Sequence, residues 1–125
     1  MKQIPVDECP AGTYLDVAVV KAQYHGEHLV IDFKHRLFST SDRAISCIKL
    51  SRYSTDIAAA WELIDRMGTQ YAPSIYQIGQ WYCNFLVDGG RIESCAETAP
   101  LAITRAYLKV EEVEFVEVPD ETNTG

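Results

Sequence analysis

Basic residues cluster between positions 33 and 52 of this 125-residue chain, where their charge could attract an anion. Cationic side chains neutralise phosphate, an aromatic ring stacks on a base, and the first amides of a helix donate to an anion. These features predict a site for a small anionic ligand such as a nucleotide signal, formed by Lys34, His35, Arg36, Arg43, Arg52, Tyr53 and Thr55. No glycine-rich phosphate loop accompanies them, and the simpler interpretation is that the charges solvate the outside of strands.

Acidic residues dominate the other end of the chain, since 111–125 contains no Lys or Arg. A run of carboxylates can meet a basic surface on another protein, which makes a protein the expected partner. The residues predicted to bind it are Glu111, Glu112, Glu114, Glu117, Asp120 and Glu121. The alternative is that alternating acids on an edge strand deter association with other strands.

Catalytic and metal-binding patterns are missing from the sequence. There is no G-x-S-x-G or H-E-x-x-H motif and no nucleophile beside a base, and Ser54, Thr55 and Asp56 fit a helix start. The three histidines and four cysteines lack the spacing of a zinc site, and the cysteines are interpreted as buried thiols. We therefore expect a non-enzymatic protein without metal or cofactor.

Length and composition indicate one domain over residues 1–118, followed by a flexible tail over 119–125. With 47% hydrophobic residues the chain can bury a core, and its formal net charge of -7 comes largely from the C-terminal acids. The apolar runs are too short to span a membrane, and the first residues do not resemble a signal peptide. These observations predict a cytoplasmic protein that contacts no membrane.

Three helices are indicated by apolar periodicity. The first is "TYLDVAVVKAQYHG", capped by Thr13, with Leu15, Ala18, Val19 and Ala22 on its buried face. The second is "YSTDIAAAWELIDRM", capped by Ser54 or Thr55, with a buried stripe of Ile57, Ala60, Trp61, Ile64 and Met67. The third begins at Thr98, tolerates Pro100 in its first turn, and carries a polar stripe of Thr104, Arg105 and Lys109.

Strands are indicated between the helices by period-two alternation. Segments 71–78, 81–87 and 91–96 predict an antiparallel meander with a hairpin turn at "DGG". Segments 28–33 and 44–50 predict a second hairpin that extends the same sheet. The alternating segment 113–118 is a last strand that could pair with a second copy as a homodimer contact.

The fold class that follows is α/β (α+β), an alpha-beta-alpha sandwich with a mainly antiparallel sheet and three helices. We expect helices 2 and 3 to pack on the sheet through Trp61, Ile64, Leu101 and Ile103. On this arrangement Trp61→Ala would cost about 3–5 kcal/mol. The element order resembles a double-stranded-RNA-binding domain, but "CAETAPLA" places no cation before Arg105, so nucleic acid is not an expected partner.

Three sequence blocks resemble the phage ABA-sandwich domain family. They are "AGTYLDVAVVKA", "YSTDIAAAWELIDRM" and "AETAPLAITRAYLKV", and Trp81 falls where members of that family often have a strand tryptophan. Residues 25–52 lie where the family varies in length. The resemblance implies the sandwich fold and a phage or prophage origin, and it supplies no catalytic residue. It also implies an accessory protein that acts by binding a host component, with inhibition of a host antiviral defence as one such role.

Overall fold

The computed structural model of the protein describes residues 2–25, 27–40 and 47–119. Its helices are α1 (Thr13–Gln23), α2 (Ile57–Met67) and α3 (Ala99–Val110), with 3₁₀ turns at Val6–Glu8 and Thr69–Tyr71. Its strands are β1 (Lys2–Pro5), β2 (Leu29–Asp32), β3 (Leu37–Thr40), β4 (Ile48–Lys49), β5 (Ser74–Ile78), β6 (Gln80–Val87), β7 (Gly90–Ala96) and β8 (Phe115–Val118). No helix in those three ranges is long and apolar enough to cross a bilayer.

The described strands form antiparallel sheets, and together with the helices they make the mixed α+β sandwich that the sequence predicts. The predicted meander is confirmed as the sheet β5-β6-β7. Its hairpin turn places Asp88 and Gly89 at φ 47° and 80°, which is the positive-φ pair of a type I′ turn. Residues Cys83 and Phe85 of β6 point into the core and are fully buried.

The predicted second hairpin is wrong in two respects. Strand β2 pairs with β3, which the sequence reading missed, and β4 pairs with the other edge of β3. These strands form a sheet of their own instead of extending the meander. The reason is that the chain reverses already at 33–36, where Arg36 adopts φ 55°, so a short strand forms inside the basic segment.

Strand β8 pairs with β1 in antiparallel register, from Lys2 opposite Val118 to Pro5 opposite Phe115. The sequence reading found β8 but not β1. This pairing uses one edge of β8 within the chain, and the homodimer contact stays a prediction for the other edge. The predicted flexible tail falls, except for Pro119, outside the described residues.

Helix α3 lies at the centre of the molecule and packs against β6, β7, α2 and α1. The predicted cap is confirmed, because the Thr98 hydroxyl accepts a hydrogen bond from the Leu101 amide at 3.4 Å. The predicted polar stripe is wrong at Thr104, which is fully buried. Its hydroxyl donates to the Tyr53 carbonyl at 2.9 Å, so the buried Thr104 hydroxyl is paired.

Helix α2 begins one residue later than its predicted caps suggest. The N-cap is Asp56, whose carboxylate accepts from the Ala58 amide at 3.1 Å. The predicted caps Ser54 and Thr55 are therefore wrong. Ser54 is fully buried, and its hydroxyl donates to the Asp16 carboxylate. The segment before α2 is therefore fixed to α1 and does not serve only as a helix start.

The buried face of α2 differs from the predicted stripe. It consists of Ala59, Ala60, Leu63, Ile64 and Met67. The side chain of Trp61 is 48% exposed and Ile57 is also exposed, so the expected contact of Trp61 with the sheet is wrong. Helix α2 packs against α3, where Ala60, Ala102 and Ala106 are fully buried and let the two helices approach closely. The alanine run serves this contact.

Helix α1 contacts both β8 and α3, which explains why it is buried on more than the predicted face. Its N-cap is Gly12, and Thr13 is its first helical residue. The expected positions Leu15, Ala18 and Val19 are buried, as are Asp16, Val17 and Val20. An acidic residue inside this buried set was not expected.

The cysteines divide into two classes, and all four are free thiols. Burial is confirmed for Cys9 and Cys83, and it raises the pKa of the Cys83 thiol to about 12. Cys47 and Cys95 are exposed, so the expectation that they are buried is wrong.

Candidate functional site

A groove of about 630 Å³ runs between α1 and β8, and it is larger than each of three other grooves on the described surface. Cavities of this size accommodate small ligands or a few side chains of a partner. We call it the acidic groove. The residues that define it are Tyr14, Lys21, Phe33, Glu111, Glu112, Phe115 and Glu117.

Three aromatic side chains from separate elements line the acidic groove. Tyr14 lies in the first turn of α1 and Phe33 follows β2; their ring centroids are 5.1 Å apart with the planes tilted by 30°. Phe115 opens β8 and is 51% exposed. Tyr14 is half-buried and Phe33 is exposed, and aromatic rings grouped at a concave site are typical of protein interfaces.

Two of the groove carboxylates, those of Glu111 and Glu112, follow the last turn of α3. The C-terminal end of a helix carries partial negative charge, so a carboxylate there is unfavourable by about 0.3–1 kcal/mol. The chain therefore places acids where local helix energetics disfavour them.

Glu112 also has a strained backbone. The Val113 amide donates to the Leu108 carbonyl at 2.9 Å and the Glu112 amide to the Lys109 carbonyl at 3.0 Å, which is the Schellman pattern. The residue at this left-handed position is usually glycine, but here it is Glu112 at φ 64°. A side chain in this conformation costs about 1 kcal/mol, and such strain is often retained where the side chain serves function.

An ion pair crosses the acidic groove between Lys21 of α1 and Glu117 of β8. The Lys21 Nζ lies 3.2 Å from a Glu117 carboxylate oxygen, and both side chains are about half-exposed. Exposed pairs of this kind contribute less than about 1 kcal/mol, so a ligand could displace either partner at small cost. The groove is lined by three carboxylates against Lys21 and His25, so the acids outnumber the basic groups and the groove favours a cationic ligand.

The sequence-predicted anion site loses one of its central groups to a structural role. The guanidinium of Arg36 is 15% exposed and lies 2.9 Å from the carboxylate of Asp16, which is 1% exposed. Arg36 also donates to the Thr13 hydroxyl at 2.6 Å. The other oxygen of Asp16 accepts from the amide and hydroxyl of Ser54 at 2.8 and 2.7 Å. We call this set of four side chains the buried ion-pair network.

The remaining predicted anion ligands are dispersed. Tyr53 is buried, and its carbonyl accepts from Thr104. His35 is exposed, and its Nδ1 lies 2.9 Å from an Asp32 carboxylate oxygen. The pKa of Asp32 is lowered, chiefly because its carboxylate accepts a hydrogen bond from the His35 amide.

Lys34, Arg52 and Thr55 are exposed, and Arg43 lies outside the described residues. Of the four grooves, the smallest contains Arg52 together with Lys49, and a different one contains Tyr53. The structure therefore does not bring the predicted anion ligands together in one cavity.

The predicted partner-binding acids are better grouped. Glu111, Glu112 and Glu117 all line the acidic groove. Glu112 and Glu114 line an adjoining groove of about 510 Å³, and the Glu114 carbonyl accepts from the Val6 amide. Asp120 and Glu121 lie outside the described residues.

Sequence reasoning missed the contributions of α1 and the loop after β2 to the groove. Tyr14 and Lys21 are seven residues apart on α1, with Ala18 between them, and all three line the groove. This spacing places them on one helix face, but Ala18 and Ala22 of that face were predicted to be core residues, so no groove was expected there. Phe33 carried no comparable signal. Across the three described ranges, no group of three or more His, Cys, Asp or Glu side chains is arranged to hold a metal ion.

Comparison with known proteins identifies the family. The model of the phage ABA sandwich domain matches residues 22–108. The chain belongs to the phage ABA sandwich domain family. The match contains α2, β5, β6 and β7, and it also covers 25–52, for which the sequence blocks gave no counterpart. Strands β1 and β8 and most of α1 lie outside it, so the acidic groove is built partly beyond the matched domain.

A solved structure with the same fold as this phage ABA sandwich protein is known. It is a crystal structure of a phage protein from Bacillus cereus, with 21% identity and a TM-score of 0.63. The alignment covers 86% of this chain and 94% of that chain. At this identity the likeness shows a common fold. No curated protein sequence matches the chain.

Proposed function

We propose that this phage ABA sandwich protein is a non-enzymatic accessory protein that binds a cationic, partly apolar segment of a host protein in the acidic groove. The observation that carries the proposal is that Glu111, Glu112 and Glu117 line the same groove as the exposed rings of Phe33 and Phe115 and the half-buried ring of Tyr14. Interference with a host antiviral defence complex is one role that such binding would serve.

Charge and strain support a binding role for the groove. Glu111 and Glu112 oppose the helix dipole, and Glu112 also holds a left-handed backbone. Neither feature stabilises the fold, whereas both place carboxylates at the rim of an aromatic groove. A basic side chain entering there meets complementary charge, which speeds association and excludes acidic partners.

The double variant Glu111→Gln/Glu112→Gln tests the proposal. We expect it to capture the host partner about tenfold less efficiently than the wild type, because two attractive charges are lost. The measurement is quantitative mass spectrometry of proteins retained from host lysate. Capture by the wild type should also weaken between 0.15 and 0.5 M NaCl, since salt screens exposed charges.

A matched control removes two charges elsewhere. Asp88 and Glu97 are exposed and line none of the four grooves, so Asp88→Asn/Glu97→Gln should retain every partner of the wild type. Equal capture by the groove variant and this control would refute the proposal.

Glu112→Gly separates binding from stability. Glycine relieves the left-handed strain at this helix end, so we expect the free energy of unfolding to rise by about 1 kcal/mol. We expect partner capture to fall, because one groove carboxylate is gone. Urea titration and lysate capture measure the two quantities, and Glu111→Gly, which should destabilise, is the control. A variant that is more stable and binds as well as the wild type would show that the Glu112 carboxylate has no role in binding.

The small-anion site, with a role in sequestering a nucleotide signal, stays a prediction. Its exposed groups Lys34, His35, Arg52 and Thr55 have no common cavity that would favour it over the acidic groove.

A further inference from the structure

The outer face of the β1-β8 pair contributes a wall to the acidic groove. Alternate residues of a strand share a face, so Phe115 and Glu117 project from the same side of β8, about 6.6 Å apart along the strand. Gln3 lies directly opposite Glu117 on β1 and therefore shares that face. All three side chains are exposed and line the groove, whereas Val116 between Phe115 and Glu117 is buried. The wall thus combines an aromatic ring, a carboxylate and an amide on one face.

A cation of the chain itself already binds at this wall. The Lys21 Nζ, which comes from α1, donates to a Glu117 carboxylate oxygen at 3.2 Å. The contact shows that a positive group can reach Glu117 from within the groove. Both side chains are about half-exposed, so water weakens the pair and a second cation can compete with Lys21 for the carboxylate.

The three groups of the wall match a guanidinium better than an ammonium. A guanidinium is planar, so it can lie over the Phe115 ring while its N–H groups donate to the oxygens of Glu117 and Gln3. It can also bond to both oxygens of one carboxylate. An ammonium is a compact and strongly hydrated charge without a flat face, so it does not combine the stacked contact with the paired hydrogen bonds.

We infer that the acidic groove binds an arginine side chain of the partner, whose guanidinium displaces Lys21 from Glu117 and lies over Phe115. Lys21 is then an internal competitor for the site, and its displacement lowers the affinity of the groove for its ligand. This inference rests on the proposed function of the acidic groove, to which it adds the residue type that is bound and the contacts that bind it.

Three blocked peptides test the choice of cation. They are Thr-Leu-Arg-Leu-Thr, the same peptide with lysine at its centre, and the same peptide with citrulline, which is the uncharged analogue of arginine. Titration into the isotope-labelled full chain, followed by NMR, gives each dissociation constant. We expect the arginine peptide to bind about three- to tenfold more tightly than the lysine peptide, because only the guanidinium both stacks and bonds in pairs. The citrulline peptide should bind at least about tenfold more weakly than the arginine peptide, since it carries no charge.

Phe115→Leu separates stacking from charge. Leucine keeps an apolar side chain at this exposed position but has no ring, so the preference for arginine over lysine should fall to about twofold or less. Phe33→Leu is the matched control, because it removes another exposed ring of the groove that does not belong to the β8 wall. The control should keep the preference for arginine. An equal loss of preference in both variants would overturn the placement of the guanidinium at Phe115.

Lys21→Met tests the displacement. With the internal competitor removed, the arginine peptide should bind about two- to fivefold more tightly, as expected for the loss of an exposed ion pair. The same substitution made in a Glu117→Gln background should give no gain, because Lys21 then has no carboxylate to occupy. A gain that persists in that background would come from long-range charge alone and would contradict the displacement of Lys21 from Glu117.

The outcomes separate this inference from the proposed function. An arginine peptide that does not bind, or that binds no more tightly than the lysine peptide, would overturn the inference, while capture from host lysate still decides whether the acidic groove binds a partner. Equal lysate capture by Glu111→Gln/Glu112→Gln and by its control would refute the proposed function, and the inference that rests on it would fall too.

Discussion

Asp16→Ala is expected to lower the free energy of unfolding by about 3–5 kcal/mol, the usual cost of removing one partner of a buried ion pair. Its carboxylate pairs with Arg36 and accepts two hydrogen bonds from Ser54. Without it the guanidinium stays in a site that is 15% exposed and loses its counter-charge. Urea unfolding monitored by circular dichroism measures the effect.

Two further variants define the cause of that loss. Asp65→Asn removes an exposed acid on α2 and should leave the free energy of unfolding within about 0.5 kcal/mol of the wild-type value. Adding Arg36→Met to Asp16→Ala removes the unpaired charge, so the double variant should be more stable than Asp16→Ala alone. A loss below 1 kcal/mol in Asp16→Ala would mean that Arg36 is free to serve as a ligand residue.

Phe85→Ala is expected to lower the free energy of unfolding by about 3–5 kcal/mol. The Phe85 side chain lies on β6, which packs against α3, and it is 0% exposed, so its removal leaves a cavity. Trp61→Ala is the informative comparison. Roughly half of the Trp61 side chain is exposed, so its removal should cost about 1 kcal/mol. Thermal unfolding of both variants measures the contrast. Equal losses would place Trp61 in the core after all.

Local chemistry explains which parts of the fold were predictable from the sequence. The β5-β6-β7 meander follows from the period-two pattern and an Asp-Gly turn, and the start of α3 follows from Thr98 and Pro100. Helix α2 was predicted as an element, but its buried face was not. Its residues satisfy helical spacing both through Trp61 and through Leu63, and only packing against α3 decides between them.

Long-range pairing explains what the sequence did not reveal. Strand β1 has four residues and pairs with β8 across almost the whole chain, so no local pattern marks it. Asp16 lies in the first turn of α1, where an acid complements the helix dipole, yet its partners come from 20 and 38 positions away. The sequence predicted three of the acids that line the acidic groove, Glu111, Glu112 and Glu117. It did not predict that Tyr14 and Phe33 would line the same groove.

The pairing of β1 with β8 also determines when the acidic groove can exist during biosynthesis. Lys2–Pro5 leaves the ribosome more than 100 residues before β8, the strand that completes the groove. The meander and α3 can fold earlier, since their contacts are close in sequence. The binding surface is therefore absent from a nascent chain until β8 has left the ribosome, and a nascent copy cannot engage its target before that point.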